Sequence, residues 1–237
     1  MLSSITLVNN IIEQVASGKN TVNSIANRIG EKEPTILYSL EKLISVGLIE
    51  KKRCITEEKN KKKSQYVLKD SMFKFWYAFI PKAASVIEMG QGELYYKKVV
   101  KPFLNFFMGS VFEDMCRYYT LEHGILGEFD CFLTSVGSWW GTETIVNDDG
   151  KKMGQSADID VVALSEMENK AVVGECKFKN EKLDRGVYET LLRRANVLSS
   201  KYTITKYMLF SLSGYTKWFN SLQDNRVMRI SLDDMYQ

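Results

Sequence analysis

Apolar positions in the first third of the chain recur with the period of a helix. Ile5, Val8, Ile11, Ile12 and Val15 form one stripe that ends near Gly18. Thr21 is placed to cap a short second helix over TVNSIANRIG, which Gly30 terminates. A third helix starts near Glu33 with Pro34 in its first turn. Its expected buried stripe is Ile36, Leu37, Leu40, Leu43 and Ile44, its expected exposed face includes Lys32, Thr35, Ser39 and Lys42, and Gly47 stops it. LIEKKRCI and SQYVLKD then read as two strands around the polar stretch TEEKNKKK.

From residue 71 to 108 the pattern becomes aromatic. Phe73, Phe75, Trp76, Tyr77 and Phe79 are too many for a free linker, so this connector is expected to be packed. A helix over about 102–122 follows, with Val111, Phe112, Met115, Tyr118 and Tyr119 as its apolar face. Beyond it the period shortens to that of strands over 131–146, 157–164 and 170–178. It returns to helical spacing over 181–199, and 206–213 and 226–232 read as closing strands. The order predicts an α/β fold with a mixed sheet flanked by helices, behind an all-helical-plus-wing domain. The expected divisions are 1–70, 71–108 and 109–237.

Charge changes the picture in two places. Between Glu50 and Lys63 stand seven basic residues (Lys51, Lys52, Arg53, Lys59, Lys61, Lys62, Lys63) against three acidic ones, a local +4 that exceeds the net +3 of the whole chain. Three helices and a basic hairpin make a winged-helix pattern. Lys42, Lys51, Lys52, Arg53, Lys61, Lys62 and Lys63 are its candidate DNA contacts, made mainly to phosphates. The same element also serves as a protein-contact module in other settings.

The second place is the hairpin from Gln155 to Phe178. Asp158 and Asp160 share one face of their strand, Glu175 and Lys177 share one face of theirs, and a turn near Met167 brings Asp160 across from about Gly174 or Glu175, crowding the charges together. Carboxylates on otherwise apolar strands need a cation or hydrogen-bond donors, because desolvating an unpaired ion costs several kcal/mol. A divalent metal held by oxygen ligands is one solution. A surface hairpin carrying an Asp–Lys pair is the plainer one.

The remaining composition narrows little. The four cysteines are scattered without a CxxC pair and read as reduced thiols, the apolar runs are too short for a membrane span, and no signal peptide is recognisable, which together predict a cytoplasmic protein.

Asp160…Glu175-Cys176-Lys177 resembles the PD-(D/E)XK nuclease superfamily. That resemblance implies a restriction-endonuclease-like fold in which Asp160 and Glu175 hold Mg²⁺ or Mn²⁺, helped by the Cys176 carbonyl. Lys177 would orient the attacking water or offset charge on the phosphate. Glu113, on the helix before the first strand, and Asp158 are the implied further metal ligands. With the winged-helix pattern, FxFWYxFI, MGSVFED, the Trp139–Trp140 pair, ADIDVV, GECKF and FSLSGYT, essentially the whole chain resembles the C-terminal region of the archaeal-type DEXX-box AAA+ ATPases. The sequence holds no G-x-x-x-x-G-K-S/T, so ATP hydrolysis is not carried over. A P-loop ATPase domain or subunit becomes an expected partner, and the chain reads as either a piece of such an ATPase or a stand-alone relative. Self-association is a further expectation. Two functions follow: a metal-dependent deoxyribonuclease recruited by its winged helix, or a non-catalytic DNA-binding or docking module that keeps a nuclease-like fold.

Overall fold

The computed structural model describes residues 2–57, 64–146 and 149–236, so Lys59, Lys61, Lys62 and Lys63 lie outside the described residues. Contacts divide the chain into two compact units, Met1–Arg53 with Glu57–Leu104, and Cys54–Thr56 with Asn105–Gln237.

The first unit contains α1 (Leu2–Ala16), α2 (Val22–Ile29), α3 (Glu33–Ser45) and an antiparallel hairpin of β1 (Ile49–Arg53) and β2 (Ser64–Leu68). Thr21 caps α2 through a reciprocal pair of hydrogen bonds with Ser24, and Gly30 closes it at φ 81°, a conformation that suits glycine. Ile11, Ile25, Ile36, Leu40 and Ile49 are fully enclosed in the shared core, each contributing about 1.5–3 kcal/mol relative to exposure.

Four details depart from the sequence pattern. Ile5 is exposed, since the first turns of α1 lie beyond the core. Leu37 and Tyr38 face outward on α3, while Ser39 is buried, its hydroxyl satisfied by the Thr35 carbonyl one turn back. The aromatic α4 (Ser71–Phe79) packs against α1 and β2, where Tyr77 joins the core and donates to Asn9 Oδ1 at 3.0 Å. Only one stripe of α4 is covered, and Phe73 and Trp76 remain exposed. Short helices α5 (Ala84–Glu88) and α6 (Gly92–Tyr95) complete this unit.

The second unit is a five-stranded mixed sheet ordered β3 (Ser135–Val146), β4 (Lys152–Ser165), β5 (Lys170–Lys177), β6 (Thr203–Ser211) and β7 (Val227–Ser231). The first three strands run antiparallel, and β6 and β7 are parallel to β5. The crossover from β5 to β6 carries α8 (Arg185–Ala195), capped by Asp184 on the Val187 N–H. Long helix α7 (Lys101–Ile125) precedes the sheet. Residues Cys54–Thr56 join this unit because the Ile55 N–H donates to the Ser138 carbonyl and both Cys54 and Ile55 enter its core.

One face of the sheet packs Tyr188, Leu191 and Ala195 of α8, and the other packs Phe112 and Cys116 of α7. The buried stripe of α7 runs through Phe112, Cys116, Thr120 and Gly124, so Tyr118, expected inside, is exposed. Arg117 lies within that stripe. All four cysteines are buried and free. No described helix is long and apolar enough to cross a membrane.

Candidate functional site

The pairing of β4 with β3 slips near its middle. Gly137 faces Val162, but Trp139 faces Ile159, so three steps along β4 match two along β3. The burial pattern records this slip. Ala157, Ile159, Val162 and Leu164 belong to the α8 side of the core, whereas Val161 and Ala163 belong to the α7 side. Two-residue alternation breaks between Ile159 and Val162, and Asp160 sits in the break. A bulge of this kind re-aims a side chain and ends regular pairing.

Pairing of β4 with β5 ends there as well. The last partners are Val161 and Gly174, so Asp160 and Glu175 straddle the point where the strands part. Gly174 lets the strands pack closely at this point, since a Cβ would stand a tight 3.2 Å from both the Met208 carbonyl oxygen and Val161 Cβ. Past the fork, the Asp160 side chain takes the place of a strand partner, its Oδ2 accepting the Cys176 N–H at 2.9 Å. The parting strands open a cleft of about 680 Å³. Glu113 of α7, Asp158 and Asp160 of β4, Glu175, Cys176 and Lys177 of β5, and Asp184, Gly186, Val187, Thr190 and Arg194 around α8 line it.

The structure therefore gathers all five residues read as catalytic or metal-binding (Glu113, Asp158, Asp160, Glu175 and Lys177) into one cleft. Glu175 is 7 % exposed; one oxygen accepts from Lys177 Nζ, and the other, Oε2, is buried with no hydrogen-bond partner. Burial first, and the neighbouring Asp160 second, push the Glu175 carboxyl up to about 7. Burial also holds Asp160 above the usual carboxylate range, outweighing the Cys176 N–H and Lys177. Burial opposes the charge on Lys177, yet Glu175 and Asp160 together raise its pKa, so it stays an ammonium.

The flanking carboxylates are drawn toward arginines. Asp158 accepts from Arg194 Nη1 at 3.1 Å, and Glu113 lies 3.6 Å from Arg117 Nη1. Among the described residues no three His, Cys, Asp or Glu side chains already stand together as a metal cluster. The donors nevertheless suit a hard divalent cation. They are oxygens, the buried Glu175 and half-buried Asp160 carboxylates repel each other, and one buried oxygen lacks a hydrogen-bond partner.

Sequence reading overlooked Arg117. It is 8 % exposed and donates through Nη1 to the Asp160 carbonyl at 2.7 Å and through Nη2 to Asp114 Oδ1 at 2.6 Å. The helix is thereby fastened to β4 at Asp160. Its signal was a guanidinium three and four positions after Asp114 and Glu113, next to the buried Cys116. Arg193 and Arg194 lie on α8, within the segment whose spacing predicts a helix. Arg193 makes two hydrogen bonds to buried Glu143 of β3, at 2.8 and 3.2 Å, and these hold that carboxylate below its usual range.

In the first unit, Lys42 is exposed and lies 4.2 Å from the centre of the Tyr38 ring. Lys51 and Arg53 share one face of β1, with Lys51 5.6 Å from the Tyr66 ring centre, and Lys52 points to the other face.

No solved structure matches this chain. An uncharacterized protein of Methanocaldococcus jannaschii, MJECL04, is 29 % identical over 196 residues, covering 81 % of this chain and 41 % of its own length. The chain thus spans about two fifths of that curated relative. Residues 76–196, just over half of the sequence, match the DUF234 family of archaeal and bacterial proteins of unknown function; that stretch holds every carboxylate of the cleft, and the chain belongs to this family.

Proposed function

We propose that the second unit is a PD-(D/E)XK nuclease-like domain that hydrolyses phosphodiester bonds of DNA with a divalent metal, and that the first unit is a winged helix that brings it to DNA. The observation that carries this reading is the partnerless buried oxygen of Glu175 beside Asp160 and Lys177, at the mouth of an open cleft. Asp160 and Glu175, with Glu113 as the third carboxylate, would hold Mg²⁺ or Mn²⁺, which when bound supplies Lewis-acid polarisation of the phosphodiester. Lys177, kept charged by Glu175 and Asp160, orients the attacking water and offsets negative charge growing on the phosphate. Cleavage then lies within reach of hard-cation chemistry and needs no histidine.

Calorimetric titration with Mn²⁺, followed by nicking of supercoiled plasmid in Mn²⁺ or Mg²⁺, tests the reading. Lys177→Ala is expected to keep metal binding while turnover falls by roughly 10²–10³. Equal nicking by the variant would show that Lys177 has been given the wrong role.

A second reading, a non-catalytic DNA-binding or docking module, is favoured by one observation: Glu175, Asp158 and Glu113 each already face a protein cation. Wild-type protein that binds no metal at millimolar concentration would decide for it.

Wherever the first unit binds DNA, under the nuclease reading or the DNA-binding form of the second, the basic hairpin would contact phosphates. Replacing Lys61, Lys62 and Lys63 with Ala should weaken binding to all duplexes alike, each lost contact lowering the salt slope by about 0.9. An unchanged affinity and slope in anisotropy titrations would remove DNA from the role of the first unit. A P-loop ATPase domain or subunit is the proposed protein partner, in a cytoplasmic setting, and self-association is testable by light scattering.

A further inference from the structure

We propose that Arg194 is the phosphate-contacting residue of the cleft, holding a non-bridging oxygen of a nucleic-acid strand, and that Asp158 serves to aim Arg194 and not to bind metal. This rests on the cleft being a phosphodiesterase site.

Two cations line the cleft, and they are differently committed. Lys177 is taken by Glu175. Arg194 makes its hydrogen bonds through a single nitrogen, Nη1, which donates to the Asp158 carbonyl at 2.8 Å and to Asp158 Oδ1 at 3.1 Å. Its Nε is buried with no hydrogen-bond partner, and among the described residues Nη2 has none either. Glu143 is an ion partner of Arg194 as well: its Oε1 lies 3.6 Å from Nε, too long for a good hydrogen bond, and its two oxygens already accept from Arg193. After those Arg193 bonds, the Arg194 charge helps to hold Glu143 below its usual range without using up the Arg194 donors.

The anchor divides into a fixed and an exchangeable part. The carbonyl belongs to the strand and does not move independently. The Asp158 side chain is 66 % exposed, so that half of the ion pair is weakly held and can give way to a stronger anion. A guanidinium fixed at one corner with donors to spare matches the oxygens of a phosphate, which it can bind in a forked geometry.

Shape agrees with this assignment. Gly186, Thr190 and Arg194 stand four residues apart and line the same cleft, so they share one face of α8. Glycine and threonine leave space along that face, and the arginine closes it. The carboxylates lining the remainder would repel a phosphate from any other approach, and a cation between Asp160 and Glu175 would draw it toward the same side.

The test uses the full chain with Mn²⁺, thymidine 5′-monophosphate as the binding probe and its p-nitrophenyl ester as the substrate. Arg194→Gln is expected to keep Mn²⁺ affinity within about twofold and a cooperative melting transition, its midpoint lowered by the loss of the Asp158 and Glu143 contacts. It should weaken the nucleotide roughly tenfold or more and lower kcat/KM on the ester by roughly 10²–10³. Arg194→Lys, which keeps the charge without the fork, should recover part of the loss. Asp158→Asn should retain Mn²⁺ binding and show a smaller loss in the same direction. Unchanged nucleotide affinity in Arg194→Gln, in a protein that binds Mn²⁺ and cleaves the ester, overturns this inference alone. Loss of Mn²⁺ binding in Asp158→Asn overturns it by making Asp158 a metal ligand. Wild-type protein that binds no Mn²⁺ overturns the proposed function and this inference with it.

Discussion

Replacing Asp160 with Asn is expected to stabilise the metal-free protein at pH 8 while abolishing its Mn²⁺ binding. Both effects have one origin. Asp160 and Glu175 are carboxylates brought together at the fork, and although Lys177 partly offsets them, Glu175 is pushed up to about 7 by burial and then by Asp160. A carboxyl whose pKa is raised on folding favours the folded state most below its unfolded value near 4.5. That contribution fades as pH climbs through about 7. The asparagine oxygen can still accept the Cys176 N–H, so the fork stays closed on that side. Removing the charge relieves the smaller, electrostatic part of the shift, worth about 1 kcal/mol, or about 2–4 °C in Tm for a chain of this size. The same substitution should weaken Mn²⁺ by more than roughly 100-fold, since even outer partners of a metal are worth up to that much. In wild type, Mn²⁺ affinity should rise from pH 6 to 8 as Glu175 gives up its proton. Melting curves at pH 5 and 8, with and without Mn²⁺, check the set. An Asn variant that melts earlier at pH 8 would mean the two carboxylates do not strain each other.

The second large effect is expected at Arg117. Methionine follows the path of its aliphatic stem but leaves the Asp160 carbonyl without its donor and Asp114 without its cation. Breaking a buried ion pair from one side costs about 3–5 kcal/mol. Asp114 and Glu113 are each about two fifths exposed, and water will take up part of the loss. A cost of about 2–3 kcal/mol is therefore expected, or about 4–12 °C in Tm. Metal affinity should fall by roughly 10- to 100-fold as well, because the same guanidinium fixes the backbone that carries Asp160. Arg117→Lys should lie between, reaching one partner and not two. Unchanged melting and unchanged Mn²⁺ affinity in the methionine variant would reduce Arg117 to an ordinary helix residue.

Reading the sequence located the carboxylates well because they interrupt apolar strands, where a charge stands out against its neighbours. That Asp160 falls across from about Gly174 or Glu175 follows from hairpin geometry alone. The slip between Ile159 and Val162 does not, since a bulge depends on how β3 pairs with β4 and leaves no single residue as its mark. The arginines were hidden for a related reason. Arg117 and Arg194 are common residues on common helices, and only the positions of Asp160 and Asp158 in space give them a task. On α3, spacing could not tell Ser39 from Leu37, because a serine that bonds to its own helix is cheap to bury.

The slip in β4 also limits which changes of chain length this family can accept. A strand shortened by one residue between Ile159 and Val162 would recover unbroken alternation and pair evenly with β3. On paper it would be the more regular strand. Yet that deletion, while leaving the α7-facing and α8-facing sets on their own layers, would remove the extra residue that lets Asp160 stand at the fork beside Glu175. Gain or loss of a residue near the β3–β4 turn, where Met153–Ser156 are exposed, flips no buried set. Length variation among relatives should therefore collect at that turn and be missing at the slip, and a phase break in an otherwise regular strand can serve to locate the cleft in a sequence whose carboxylates are less conspicuous.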